Sequence, residues 1–229
     1  MPVITIATSK GGAGKTTVCR LFASAIAERY PAQKITIIDT DPNQHSAAWF
    51  DIGHAPNNIA IIRDSTQHTV IDDIDKASAD DWVFVDVEGI ASVTMQDAIN
   101  CADFTLLICQ PSEDDVSEIF KVVSRVRKQE KVLRRKIAHA VLMNRTRASG
   151  STRLNKEILK DFENAENEIP HLKNSLNERV AFQNMRTEGC SLNALKQNNK
   201  DSTQRKSIDS AIKNLNEVLD EFLEILNNE

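Results

Sequence analysis

Residues 9 to 17 read Ser-Lys-Gly-Gly-Ala-Gly-Lys-Thr-Thr, a spacing suited to holding phosphate. Gly11, Gly12 and Gly14 let the backbone curl until successive N–H groups converge on one point, a geometry that binds anionic oxygens. A helix beginning at Lys15 adds the favourable end of its dipole. Lys15 is then placed to bridge the β- and γ-phosphates of a nucleoside triphosphate, and the Thr16 hydroxyl to ligate Mg²⁺. Gly11, Gly12, Ala13, Gly14, Lys15, Thr16 and Thr17 are therefore the candidate nucleotide-binding residues. The strict P-loop pattern asks for glycine where this chain has Ser9 and does not ask for Lys10.

Such a loop works only between a strand and a helix. The run before it, Val3–Thr8, is β-branched and apolar, and Lys15–Arg29 has helical composition. The same alternation continues along the chain. Strands are expected at Lys34–Asp39, Ile59–Arg63, Trp82–Val87, Phe104–Cys109 and Ile137–Met143, and helices at Ser65–Lys76, Ser92–Asn100 and Asp114–Lys131. Near-continuous apolar strands separated by helices predict an α/β, doubly wound, mostly parallel sheet with both faces covered. Past Arg147 the chain turns to polar, Asn-rich helices. It ends in an amphipathic pattern over about residues 205–227 (Ile208, Ala211, Ile212, Leu215, Leu219, Phe222, Leu226) that should dock on the body. No linker or repeat divides residues 1–229, so one domain is expected.

Two further segments could serve phosphate chemistry. Asp39-Thr40-Asp41-Pro42 closes the second strand, and Asp86 closes the apolar run Trp82–Val85. Carboxylates at strand ends beside a phosphate loop can hold the waters of a metal or orient an attacking water. Aspartates there also cap helices, and Asp-Pro initiates turns. An N-K-x-D segment, which reads guanine, is missing at Met143–Arg147, so adenine is the expected base.

Composition narrows the class. With 41% hydrophobic and 27% charged residues the chain is an ordinary globular protein. Cys19, Cys101, Cys109 and Cys190 form no C-x-x-C pair and the five histidines are scattered, so a zinc site is not expected. No apolar run reaches the ~18 residues of a membrane span, and the N-terminal residues do not read as a secretory leader; a cytoplasmic protein is expected. Against the net charge of −5, residues 121–136 carry eight bases (Lys121, Arg125, Arg127, Lys128, Lys131, Arg134, Arg135, Lys136) and one acid, Glu130. Lys121, Arg125 and Lys128 recur on one helical stripe, with Arg134, Arg135 and Lys136 beyond it. Such a stripe is either a solvated face or a footprint for a phosphate backbone.

Lys10-Gly-Gly-Ala-Gly-Lys15-Thr-Thr, followed by Asp39-Thr-Asp41-Pro42 and Asp86, resembles the deviant P-loop ATPases of the ParA/MinD superfamily. Over Met1 to about Cys190 it looks most like the small, often plasmid-borne ParA partition ATPases without an N-terminal helix-turn-helix. The resemblance implies an Mg²⁺-dependent ATP hydrolase that switches between a monomer and an ATP-sandwiched homodimer. In it Lys10 reaches the nucleotide of the opposite subunit, Asp41 takes the attacking water, Asp39 sits nearer Mg²⁺, and Asn144 contacts adenine; an asparagine turn is the plainer alternative at Asn144. It further implies sequence-independent DNA binding by the dimer, nucleoid association, and a ParB-like centromere-binding or adaptor protein that stimulates hydrolysis. Asp86-Val87-Glu88-Gly89 departs from the superfamily's usual Thr or Cys and prolines. Its D-x-x-G spacing would let the Gly89 amide face the γ-phosphate. A membrane-attached MinD-like role is disfavoured because residues 216–229 hold five acids and no base. A ligase similar to dethiobiotin synthetase, acting on a small molecule without DNA, is the alternative.

Lys15 tests the loop reading directly. Lys15→Ala should abolish ATP binding or turnover, measured by equilibrium dialysis and phosphate release, and unchanged affinity and turnover would remove it.

Overall fold

The computed structural model describes residues 2–8, 10–88, 92–148, 153–165 and 168–228. Six strands, β1 (Val3–Ala7), β2 (Ile35–Asp39), β3 (Ile59–Ile62), β4 (Trp82–Asp86), β5 (Phe104–Cys109) and β6 (Ala138–Met143), form one sheet in the order β3-β2-β4-β1-β5-β6. Every pairing is parallel. The expected sheet is thus present, and it is parallel throughout.

Side chains alternate across it with the period of two that strands impose. Ile4, Ile6, Ile35, Ile37, Phe84, Leu106 and Ile108 enter one core. Val3, Ala7, Ile38, Val83, Val85, Leu107 and Cys109 enter the other. On the first face lie α1 (Lys15–Arg29), α7 (Val180–Glu188), α8 (Leu192–Asn198) and α9 (Ser202–Asn228); on the second lie α3 (Val70–Ala77), α4 (Val93–Cys101), α5 (Glu113–Leu133) and α6 (Arg153–Glu163). Helices on both faces explain why the strands read as unbroken apolar runs.

Differences from the expected elements have local causes. A seven-residue helix, α2 (His45–Asp51), follows β2, too short for a periodicity signal. The helix expected from Ser65 begins at Val70, because residues 65–69 form a turn in which the Thr66 N–H donates to Thr69 Oγ1 at 3.0 Å. At the far end of α7, Gly189 adopts φ +62°, and a Cβ there would collide with Ile52 and the Trp49 carbonyl. Only glycine lets α7 end that close to α2.

The C-terminal helix docks as its pattern requires, over Ser202–Asn228. Phe222 is fully buried, with its ring centroid 5.3 Å from Phe22 of α1 and 5.4 Å from Phe104 of β5. No helix among the described residues is long and apolar enough to cross a membrane. Since Phe222 joins α9 to both the sheet and α1, Phe222→Ala should lower unfolding stability by about 3–5 kcal/mol, read from urea titration by circular dichroism.

Candidate functional site

The sheet turns outward from β1 on both sides, and the crevice at that switch point, beyond the strand C-termini, is where open α/β sheets bind ligands. Residues 10–14 leave β1 there. Gly12 and Gly14 take φ +80° and +99°, which L side chains rarely adopt. A Cβ on Gly14 would also overlap the Asn144 amide. Asn144, 6% exposed at the end of β6, donates through Nδ2 to the Ala13 carbonyl at 2.8 Å. It therefore braces the loop from β6. The expected contact to adenine falls to whatever its other amide atom reaches, and Asn144 does line the adjoining cavity with Phe182 and Thr17.

The loop wraps a cavity of about 530 Å³ whose walls include Gly11, Lys15, Thr16, Asp41, His45 and Glu88. Lys15 is 6% exposed, and its Nζ donates to the Lys10 carbonyl at 3.5 Å. Burial pushes its ammonium down, opposed by the charges of Asp86, Asp41 and Glu88.

The two strand-end aspartates lie side by side, since Asp39 and Asp86 are register partners in the β2–β4 ladder and both are fully buried. Asp86 accepts from Thr16 Oγ1 at 3.2 Å and from Ser46 Oγ at 2.7 Å. Burial and then the Asp39 charge push its carboxyl up to about 6. Asp39 accepts from the N–H groups of Ala47 at 2.9 Å and Asp41 at 3.1 Å, so it seats the N-terminus of α2. Burial raises its carboxyl pKa against the backbone bonds that lower it. Ser46 was not singled out by sequence; with α2 unforeseen, nothing tied it to Asp86.

Asp41 opens into the cavity and is held in a turn by Asn43, whose N–H donates to Asp41 Oδ1 at 2.8 Å. The Asp-Pro turn and the cavity-facing carboxylate are thus both present. Ser9 and Gly89, the latter expected to present its amide to the γ-phosphate, lie outside the described residues; Glu88 lines the cavity.

Lys10, expected to reach the nucleotide of an opposite subunit, donates in this single chain through Nζ to Asp115 Oδ2 at 2.9 Å, in the first turn of α5. Ser112, the N-cap of α5, shares that carboxylate at 2.5 Å. The Lys10 side chain stays 42% exposed, while that of Asp115 is 6% exposed.

The basic segment is partly neutralised. Lys121 pairs with Glu118 at 2.6 Å, just outside the window counted from sequence, and Lys136 with Glu130 at 3.8 Å. Arg135 donates to the Asn100 carbonyl and Arg127 to that of Glu168. Arg125, Lys128, Lys131 and Arg134 have no carboxylate partner among the described residues and remain exposed along the outer side of α5 and its C-cap. Of the eight bases, Lys121 and Lys136 thus pair with acids, the first from outside the window counted from sequence, while Arg127 and Arg135 reach neighbouring carbonyls.

Comparison with known proteins agrees with this geometry. The family described as CbiA, the CobQ/CobB/MinD/ParA nucleotide binding domain, matches residues 4–192. The chain is 31% identical over 197 residues to Protein ParA of Rhizobium radiobacter, covering 86% of this chain and 87% of that one. It superposes on apo McdA of Cyanothece with a TM-score of 0.72 at 16% identity, over 94% of this chain and 99% of the other. A plasmid partition protein of Borrelia burgdorferi bound to AMPPNP superposes with a TM-score of 0.67 at 18% identity, over 97% and 98%. At such identities the structural likeness speaks for the fold alone.

The Asp86 carboxyl links the site to pH. It binds its proton more tightly in the folded chain than in the unfolded one, where 3.8 applies. Its stabilising share is therefore fully present below about pH 4 and is lost as pH rises through about 6. Asp86→Asn, which cannot ionise, should be more stable than the parent near neutral pH by about 1–3 kcal/mol in nucleotide-free, metal-free buffer. The difference should close toward about pH 4, as urea titrations across pH would show.

Proposed function

Because the chain belongs to the CobQ/CobB/MinD/ParA nucleotide-binding family, we propose that it is an Mg²⁺-dependent ATPase that alternates between a monomer and an ATP-bound homodimer and positions or segregates DNA cargo. The observation that carries this reading is the convergence of Lys15, Thr16 and Asp41 on one cavity, with Asp86 bonded to Thr16 behind it and Lys10 beside the loop paired with Asp115. Relatedness to Protein ParA at 31% identity points to partition. The Borrelia burgdorferi relative is a plasmid partition protein, and none of the relatives named above favours a ligase.

The residues present suit magnesium. Thr16 Oγ1 and Asp86 Oδ1 lie 3.2 Å apart, an all-oxygen pair of the kind a hard cation takes, with water and phosphate completing the shell. Among the described residues no three His, Cys, Asp or Glu converge to hold a metal without such help. The ion when bound would neutralise charge on the phosphates. Loop N–H groups and Lys15 bind the β- and γ-phosphates, and α1 presents its N-terminus to them. Asp41 accepts a proton of the attacking water and orients it. Lys10 exchanges Asp115 for the phosphates of the facing subunit, so that a triphosphate favours the dimer.

DNA binding follows from doubling. One protomer offers few unpaired bases, among them Arg125, Lys128 and Arg134. Two protomers double the phosphate contacts and steepen both affinity and its salt dependence, by about 0.9 in the logarithmic slope per contact. A ParB-like partner would act by accelerating hydrolysis and so returning the monomer.

Trapping the ATP state tests the reading. Asp41→Ala should bind ATP without hydrolysing it, elute as a dimer with ATP but not ADP in size-exclusion chromatography, and retain arbitrary duplex DNA in a salt-dependent way. Adding Lys10→Ala should return it to monomer, and adding Arg134→Glu with Arg135→Glu should weaken DNA retention without affecting dimerisation. An Asp41→Ala protein that loses ATP affinity would make Asp41 structural. DNA binding indifferent to nucleotide would sever it from the switch.

A further inference from the structure

Three guanidinium groups stand around the phosphate cavity without a carboxylate. Arg20, Arg145 and Arg186 all line it, and among the described residues none is ion-paired. Arg20 is the most constrained of the three. It is 3% exposed, and its Nε is buried with no hydrogen-bond partner. A buried cation in that condition is costly until an anion meets it.

Its position says where that anion lies. Arg20 falls four residues after Thr16, on the same face of α1, and helical side chains lean back toward the N-terminus over the preceding turn. The guanidinium is thereby carried toward the turn that begins at Lys15, Thr16 and Thr17. Asp86 lies close enough to be felt, but its two oxygens already accept from Thr16 and Ser46. Arg186, exposed on α7, adds a like charge nearby; burial pushes the Arg20 guanidinium down, Asp86 opposes that, and Arg186 adds a smaller push in the direction of burial. Arg186 also lines the adjoining cavity of about 530 Å³ that holds Asn144 and Phe182, so it stands where the two chambers meet.

We propose that Arg20 and Arg186 form an intrasubunit cation pair that binds the phosphates of the nucleotide, in addition to the glycine loop and Lys15. This rests on the reading of the cavity as a nucleotide site. The planar fork of arginine suits phosphate oxygens better than a point charge does. A polyphosphate there gives the buried Arg20 Nε an acceptor and offsets the like charge of Arg186. The pair lies on α1 and α7 of one chain, and its contribution to affinity needs no dimer.

Affinities of ATP and ADP measured by calorimetry, and of adenosine by competition against a fluorescent ATP analogue, test this on the full chain. Arg20→Gln and Arg186→Gln should each weaken ATP and ADP by about ten- to hundredfold and leave adenosine unchanged, and Arg20→Lys should recover part of the loss. Lys15→Ala serves as the control for the site itself. If both glutamine variants bind ATP like the parent while Lys15→Ala does not, the cation pair is wrong and the nucleotide site stands. If Lys15→Ala also binds normally, the nucleotide site is what fails. Equal weakening of adenosine and ATP would make Arg20 a packing residue and overturn the proposal. Should Arg20→Gln melt far below the parent, Arg186→Gln decides alone, since its side chain is exposed and its loss leaves no cavity; parental ATP affinity there overturns the proposal.

Discussion

Two carboxylates placed side by side at full burial are the constraint around which the site is organised. Asp39 and Asp86 end adjacent strands in register, so their charges repel where little water can screen them. Backbone must answer that, and the N-terminus of α2 does: its amides go to Asp39 and its Ser46 hydroxyl to Asp86. The opposite side is answered by Thr16 at the start of α1. Both helices are thus seated by the carboxylates they neutralise.

The glycine loop is shaped by a complementary constraint. Its N–H groups can turn inward only if its carbonyls are held elsewhere, and Asn144 takes that of Ala13. Gly14 is required twice, by its positive φ and by the nearness of that amide. Lys15 and Lys10 fold onto the Lys10 carbonyl and onto Asp115. The Lys15 contact is long and the Lys10 side chain partly exposed, whereas the Asn144 brace is short and buried.

What sequence made legible was whatever repeats or sits at fixed spacing. The β-branched runs and the apolar rows of α5 and α9 located sheet and helices, and the loop's glycines and lysines located the phosphate cavity. Asp86 could be read because it closes an unbroken apolar run. Illegible were features decided by tertiary placement: α2, with no full period to display; Ser46, meaningful only opposite Asp86; and Asp115, one acid among three at the start of α5 until Lys10 reaches it. Arg20 was hidden for the opposite reason, since an arginine within an amphipathic helix reads as solvated, and only burial beside the P-loop changes its meaning.

These placements also indicate how a change at the phosphates can be felt elsewhere. Helix α5 carries Asp115 in its first turn and the unpaired bases Arg125, Lys128 and Lys131 beyond it, over 21 residues, which at helical rise is a rod about 30 Å long. Its inner face, with Ile119, Val122, Val123 and Val126, is fully packed against the sheet, so it moves as a unit or not at all. Releasing Lys10 from Asp115 removes the tie between the phosphate loop and this helix on the second face of the sheet. On the first face, α1 and α7 meet the same cavity through Arg20 and Arg186. A nucleotide entering it therefore engages helices on both faces at once. On the second face one helix, α5, carries both the Asp115 contact to the phosphate loop and the exposed bases Arg125, Lys128 and Lys131.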